Sequence, residues 1–567
     1  MTKKLARYLN WLQHDTKIFN VGERRRVAAG GGVLSRSTSS AALPLSDNEH
    51  LITGSISALV DLTNVFQGKA IGNKSGFSIG PKDDPECEVL TRSPPTINVN
   101  DEPTIDTAID TDPEINFSPL EAPALPLDAS TDGAAMDQSA DFFDPENVKA
   151  AQLRDQVALS TLDELLDYIL SGNGTVGILD ATNSTVERRQ AIIDRVRQRA
   201  GPELGVLFLE SLCLDQNILE ANKRLKLSGP DYKDQDPVVS LADFERRITN
   251  YERKYVPLGD YEERNDMQYV QLIDVGRKVV AHQTRGFLAS QVVYYLLNFN
   301  LSPRQIWITR HGESEDNAAG RIGGDSCLTA KGRAFAKGLE QFIGEQRTLW
   351  TVREAERQQN LQQPIGRRAN GQVGIDTPPN PEYISEAAGG IRHAEKPFCV
   401  WTSMLTRSIE TAQDFDEEQY DIKQMRLLNE INGGQFEGLT YAEIKERHAD
   451  QYELRRKDKL HYRYPGVSGE GYLDVINRLR PIIVEVERMV DHVLLIGHRS
   501  IARVLLAYFE GLQRDDVADL DMPLGMLYCL EPKPYGVDLN VYEFNEITGG
   551  FDRQEDYQLK GRTRSIG

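Results

Sequence analysis

Three short apolar runs constrain the fold of this chain most: Ile306-Trp-Ile-Thr309, Phe398-Cys-Val-Trp-Thr-Ser403 and Val493-Leu-Leu-Ile-Gly497. Each is too short for a helix, lacks the alternation of a half-exposed strand, and is separated from the next by helical periodicity. Such runs predict buried strands of a parallel sheet with helical crossovers. In open parallel sheets functional groups gather at the carboxyl ends of the strands. Here those ends carry Arg310-His311-Gly312, then Arg407 shortly after Ser403, then His498. Glu430 follows another short apolar run in LLNEINGG.

These residue types suit phosphoryl transfer. A neutral imidazole attacks phosphorus and holds the phosphoryl group, splitting one displacement into two. Arg310 and Arg407 can grip its oxygens, His498 can donate to them, and Glu430 can protonate the leaving alkoxide and later activate water. No metal is required, and none of Cys87, Cys213, Cys327, Cys399 and Cys529 shows metal-ligand spacing or a disulfide framework. Taken singly, Arg407 or Glu430 reads as a surface charge; three strand ends with matched residues do not.

A second α/β series lies upstream. KKLARYLNWL has helical spacing and TKIFNV that of a strand. After Phe142, a helix over ENVKAAQLRDQVALSTLDELLDYILSG leads to the strand-like GTVGILDATNS, the helical STVERRQAIIDRVRQRA, the strand GVLFLES and helical segments near ILEANKRL and LADFERRITNYERKY. Between the two pieces the pattern lapses. Thr96–Asp141 holds eleven acidic residues and no basic one, so 27–141 reads as a disordered acidic insert in which ISALVDLTNVF could form a transient helix. A second insert, rich in Gln, Pro and Gly, spans about 347–397, and 548–567 reads as a loose basic tail. The chain of 567 residues is too long for one core. A net charge of −21 argues against nucleic acid as a partner. The absence of a long apolar run and of a signal-peptide pattern argues against a membrane and for the cytoplasm.

The C-terminal residues resemble the histidine phosphatase superfamily, with its phosphoglycerate mutase fold. HGESEDNAAGRIGGDSCLTAKG, WTSMLTRSIETA, LNEINGGQFEGLTYAEI, YELRRKDKLHYRYP and GHRSIARVLLAYF resemble more narrowly the bisphosphatase half of 6-phosphofructo-2-kinase/fructose-2,6-bisphosphatase. The resemblance implies His311 as nucleophile, Glu430 as proton donor, and Arg310, Asn317, Arg407 and His498 around the C2 phosphate of fructose 2,6-bisphosphate. It places Tyr441, Arg455, Lys459, Tyr472 and Arg503 around the sugar and its C6 phosphate. Arg499 departs from the glutamine that many members carry, adding positive charge beside the site.

Upstream, GILDATNSTVERR, FLESLCLDQNILEAN, KLSGPDYKDQD and FERRITNYERKY resemble the kinase half. This implies Asp180 and Thr182 at a catalytic strand end, Arg26, Arg154, Arg188, Lys226, Arg247 and Tyr251 around fructose 6-phosphate, and Asn222 at ATP, with Mg2+ as its companion ion. The implied fold is α/β in two domains. One is an incomplete P-loop-type kinase domain, a parallel sheet with helices on both faces (1–26 and 142–300). The other is a phosphoglycerate-mutase-like histidine phosphatase domain (301–547). A homodimer is also implied.

That kinase class needs a G-x-x-x-x-G-K-[ST] loop to cradle the ATP phosphates. The helical stretch after Met1 is where the loop should just have ended, and Gly68-Lys-Ala-Ile-Gly-Asn-Lys-Ser75 is an imperfect match inside the acidic insert. The expectation is a working phosphatase joined to a kinase half impaired for lack of the loop and its strand, whose neighbours would be left with unpaired ladder groups. Two origins stay open: a natural chain that begins further upstream, or a degenerate kinase. The alternatives to the bisphosphatase are a histidine phosphatase or mutase acting on another sugar phosphate, and a non-catalytic sugar-phosphate-binding regulator.

Overall fold

A computed structural model describes residues 1–29, 55–61, 140–144, 146–172, 174–214, 219, 222–223, 236–361, 396–533, 536–555 and 557–559. Two sheets organise them. The N-terminal sheet contains β1 (Thr16–Asn20), β2 (Ser55–Asp61), β3 (Val176–Asp180), β4 (Gly205–Leu212), β5 (Gln268–Ile273) and β6 (Lys278–His282), in the order β1-β3-β2-β4-β5-β6. The C-terminal sheet contains β7 (Ile306–Arg310), β8 (Phe398–Thr402), β9 (Asp421–Gln424), β10 (His492–Gly497), β11 (Met526–Lys533), β12 (Gly536–Phe544) and β13 (Phe551–Gln554), in the order β13-β12-β11-β7-β10-β8-β9.

The apolar runs behave as their composition dictates. Every residue of β3, β8 and β10 is buried, as expected of strands covered on both faces. β10 pairs in parallel with β7 and β8, with Gly497 opposite Arg310 and Ile496 opposite Thr402. The three ends that carry the candidate residues are therefore level with one another.

Four expectations need correction. Neither sheet is purely parallel: β6 pairs antiparallel with β5, and β11 to β13 add an antiparallel edge beside β7. The supposed basic tail contributes β13, paired with β12 from Phe551 to Gln554. The helix Ala330–Leu361 runs well past the expected start of the second insert, and 362–395 lie outside the described residues.

The fourth correction concerns the acidic insert. Ser55–Asp61, read as lacking stable structure or as a transient helix, is strand β2, seated between β3 and β4 and antiparallel to both. Its backbone groups complete the two ladders that would otherwise be left open in the sheet interior. SISALVD holds the branched residues that favour such a place. The strand runs from Ser55 beside Ser211 to Asp61 beside Gly205 and Val176, so the chain leaves it at the end of the sheet away from Asp180. Gly68–Ser75 lies outside the described residues.

The helix Thr2–Trp11 joins the two sheets. Leu5 and Leu9 enter the core over β3, β4 and β5, while Trp11 packs at the other core with its ring 5.5 Å from Tyr508. Arg7 pairs with the buried Glu487 at 2.5 Å, donates to Phe509 O at 2.9 Å, and lies over the Tyr508 ring. Tyr508 Oη–H donates to Glu487 Oε1 at 3.0 Å.

Candidate active site

β7 ends by delivering His311 into a buried position, its N–H bonded to Gly497 O of β10. His311 Nδ1 lies 2.7 Å from Gly312 O. A carbonyl only accepts, so Nδ1 carries the proton and Nε2 keeps its lone pair. That lone pair accepts from Arg407 Nε–H at 3.0 Å. Burial, with Arg407 and Arg310 adding to it, pushes His311 well below the ordinary histidine range. The ring is thus a neutral imidazole aimed at an arginine, the state a nucleophile toward phosphorus requires.

His498 follows β10 and is also buried, its ring centroid 5.0 Å from that of His311. Its Nε2 lies 2.7 Å from Ser403 Oγ at the end of β8. Burial, then His311 and Arg407, pushes its pKa well below normal. His498 Nδ1 is buried with no hydrogen-bond partner among the described residues.

Two arginines complete the wall. Arg407, from the short helix Thr406–Thr411, donates Nη1–H to Gly324 O at 2.7 Å. Arg310 donates to Met522 O at 2.7 Å; burial lowers its pKa to about 10, Glu430 opposing and Arg499 and Arg503 adding to the fall. Gly324 explains the glycine-rich stretch after His311. Its φ is +73°, and a Cβ there would lie 2.2 Å from Asp316 Oδ2. Glycine takes this left-handed conformation without strain and leaves room for the Asp316 carboxylate beside the carbonyl that Arg407 grips.

Glu430 is fixed by its neighbours: Oε1 accepts from Ile431 N–H at 2.9 Å, from Ser500 N–H at 3.2 Å and from Ser500 Oγ–H. Asn317 sits in a capping box with Ser314, its Oδ1 accepting from Ser314 N–H at 3.3 Å. Next to this pocket, Arg503 donates to Tyr472 Oη at 2.6 Å and to Leu520 O at 2.6 Å. Arg455 lies over the rings of Tyr441 (5.2 Å) and Tyr464 (5.5 Å). Lys459 is engaged by Asp519 at 2.6 Å, so it is not a free cation of the cradle. Arg499 is half exposed, 3.9 Å from Asp521.

The kinase-side candidates gather around the other sheet. Asp180 is buried at the end of β3 and accepts from Asn20 Nδ2 at 3.3 Å. Half-buried Thr182 follows it, in a turn held by buried Arg189, which donates to Asn183 O and Val256 O and pairs with Glu262 at 2.6 Å. Arg154, Arg247 and Tyr251 converge on Phe142 and Phe143, together with Arg25, which sequence reasoning passed over for its neighbour Arg26. Arg26 is half buried on the helix Val21–Ala29. Burial and then Arg154 depress Arg188 to about 10, and its guanidinium pairs with Asp155. Asn222 is buried, and Lys226 lies outside the described residues.

Sequence reasoning also passed over Ser403, Ser500 and Tyr464. Ser403 and Ser500 had a signal, since each stands at a strand end that the reading had already marked. Tyr464 had none.

Two buried imidazoles and Arg310 at the level ends of β7 and β10, with Arg407 and Glu430 supplied from beside them, have the make-up that a histidine phosphatase site requires, and a kinase-like α/β sheet precedes them in the chain. Residues 129–303 match the 6-phosphofructo-2-kinase family and residues 349–545 the histidine phosphatase superfamily (branch 1). 6-Phosphofructo-2-kinase 1 of Saccharomyces cerevisiae is 49% identical over 432 residues, covering 76% of this chain and 49% of that one. A second fungal relative, from Schizosaccharomyces pombe, is 50% identical over 427 residues, 73% of this chain and 63% of its own. The 6-phosphofructo-2-kinase/fructose-2,6-bisphosphatase of Caenorhabditis elegans is 35% identical over 431 residues, 76% of this chain and 82% of its own. The chain belongs to the 6-phosphofructo-2-kinase/fructose-2,6-bisphosphatase family. It spans about half the length of the Saccharomyces relative. Among the described residues no helix is long and apolar enough to cross a membrane.

Proposed function

We propose that this chain sets the level of fructose 2,6-bisphosphate, with hydrolysis of the C2 phosphate by the C-terminal half as its principal reaction. His311 Nε2 attacks phosphorus, the P–O bond to C2 breaks, and the departing oxygen takes a proton from Glu430. Water then adds to the phosphohistidine with Glu430 as base, releasing phosphate and restoring the imidazole. Arg310, Arg407 and His498 hold the phosphoryl oxygens as charge builds on them. Arg455, Tyr472 and Arg503 receive the sugar and its C6 phosphate.

The fungal relatives above bear kinase names alone, whereas the worm relative bears both. The observation that favours the phosphatase here is the neutral His311 with its Nε2 lone pair directed at Arg407. The N-terminal half is read as the 6-phosphofructo-2-kinase domain, with Arg154, Arg188, Arg247 and Tyr251 binding fructose 6-phosphate and Asn222 at ATP. Among the described residues no group of three or more His, Cys, Asp or Glu could hold a metal by itself. Mg2+ in nucleotide sites needs only one or two carboxylates beside the phosphates, which Asp180 fits. Bound there, the ion would neutralise phosphate charge. A second copy of the chain is the proposed macromolecular partner, and the cytoplasm the proposed location.

The test is incubation with fructose 2,6-bisphosphate labelled at the C2 phosphate. The expected result is an acid-labile label on His311 and release of fructose 6-phosphate, both lost in His311→Ala. Faster turnover of 3-phosphoglycerate or of a sugar monophosphate in the same panel would overturn the substrate assignment.

A further inference from the structure

The proton that reaches the leaving oxygen must sit on one particular oxygen of Glu430, and the surroundings of that carboxyl are unequal. Oε1 accepts three donors: Ile431 N–H, Ser500 N–H and Ser500 Oγ–H. Two are backbone groups, but the Ile431 N–H is shared with Ser500 Oγ at 3.4 Å and the Ser500 N–H stands at a long 3.2 Å, so they do not fill Oε1 by themselves. The third is the hydroxyl of Ser500, a buried residue in the first turn of the helix Arg499–Glu510, directly after His498. A carboxylate oxygen has room for about two such bonds at its lone pairs. An oxygen so saturated has no lone pair left for a proton.

We infer that Ser500 is a positioning residue for the acid–base step: by filling Oε1 it confines the transferable proton of Glu430 to Oε2. This rests on the phosphatase reading above. In the first half-reaction the His311 Nε2–P bond forms as the P–O(C2) bond breaks. The electron pair stays on the leaving oxygen, which takes the proton from Oε2. In the second half-reaction water gives a proton to Oε2 as its oxygen bonds to phosphorus and the N–P bond breaks. Oε1 keeps its three donors throughout, and because Ser500 lies two residues beyond His498 in the same helix start, that turn registers the acid against the second imidazole.

The test separates leaving groups that need a proton from those that do not. Phosphohistidine formation in the full-length chain is followed by rapid quench, with fructose 2,6-bisphosphate and with p-nitrophenyl phosphate, whose phenolate departs unprotonated. Ser500→Ala should slow phosphoenzyme formation from the sugar phosphate by about tenfold, a part of what a general acid supplies. It should leave formation from p-nitrophenyl phosphate within about twofold, and Ser500→Thr should restore the sugar-phosphate rate. The p-nitrophenyl phosphate rate also reports that the variant is folded. An equal effect on both substrates, or none on either, overturns the inference and leaves the phosphatase reading intact. A wild-type chain that forms no phosphohistidine overturns both.

Discussion

Arg407 Nε–H donates to His311 Nε2 at 3.0 Å, on the lone pair that has to attack phosphorus. The arginine thus stands where the attacked phosphoryl group has to be, and substrate entry exchanges this bond for one from the guanidinium to a phosphoryl oxygen. Arg407→Lys keeps the charge but loses the fork that reaches both His311 and Gly324 O. It should lower kcat by about 10²–10³-fold, the usual loss of a transition-state donor. The labelled phosphoenzyme should still form, slowly, whereas His311→Ala should form none; single-turnover quench on both variants reads this directly.

Acid should weaken the fold in a narrow window. His311 and His498 are pushed well below 6.5 by burial, and burial lowers His492 to about 3. Between pH 6 and 5 the unfolded chain therefore binds three protons at these rings that the folded chain refuses, so stability falls as pH falls. Glu510 acts the other way: burial raises it to about 7, so the folded state holds one proton that the unfolded state releases above 4.5. The difference is about two protons, or about 3 kcal/mol per pH unit. Unfolding free energies from urea melts at pH 7, 6 and 5 should drop with about that slope below 6. A flat profile would mean that these rings are protonated in the native state.

The sequence made the C-terminal site legible because its chemistry sits at the ends of buried strands, where apolar runs stop abruptly. His311, Arg407, Glu430 and His498 could all be placed from that pattern. Ser403 and Ser500 stand at the same marked ends but were passed over, since a hydroxyl reveals its role only when its partner's atom is known. Lys459 was placed at the C6 phosphate with no sign of its ion pair, because the sequence does not show that Asp519, sixty residues on, lies against it. β2 stayed hidden for a different reason. Seven residues inside an acidic, Pro-rich stretch carry no helical or strand context, and what gives them their place is the gap between β3 and β4.

The joint between the halves should respond to a single charge. Glu487 is buried and faces Arg7, Lys4 and Arg304, which together hold it below the ordinary carboxylate range against the effect of burial. Glu487→Leu strands those cations in a dry interior and should cost about 3–5 kcal/mol. The double change with Arg7→Met should cost less than Glu487→Leu alone, because one stranded cation goes with its partner. Urea denaturation read by fluorescence checks both. Trp11 packs in that joint, so the loss should show first in its signal.

On the kinase side the arginines are organised by a ring. Arg247 lies 4.1 Å and Arg25 4.7 Å from the centroid of Phe143, and Arg154 lies 5.6 Å from that of Phe142 while donating to Phe142 O. Ala140 N–H donates to Asp243 at 2.8 Å and Asn250 donates to Ala140 O at 3.1 Å, so the turn that carries both rings is tied to the helix Pro237–Glu252. Like charges repel, and an aromatic face is one of the few apolar surfaces that can hold two of them in place. If these arginines bind fructose 6-phosphate, Phe143→Leu should weaken it while preserving apolar volume. Two contacts of about 0.5–1 kcal/mol each correspond to roughly 5–30-fold in Kd. Phe143→Tyr, which keeps the face, should stay within about twofold of wild type. Titration calorimetry of the full chain with fructose 6-phosphate measures all three proteins. Equal affinity in wild type and Phe143→Leu would show that the ring only packs, and heat absent from the wild type would show that the arginine cluster serves another anion.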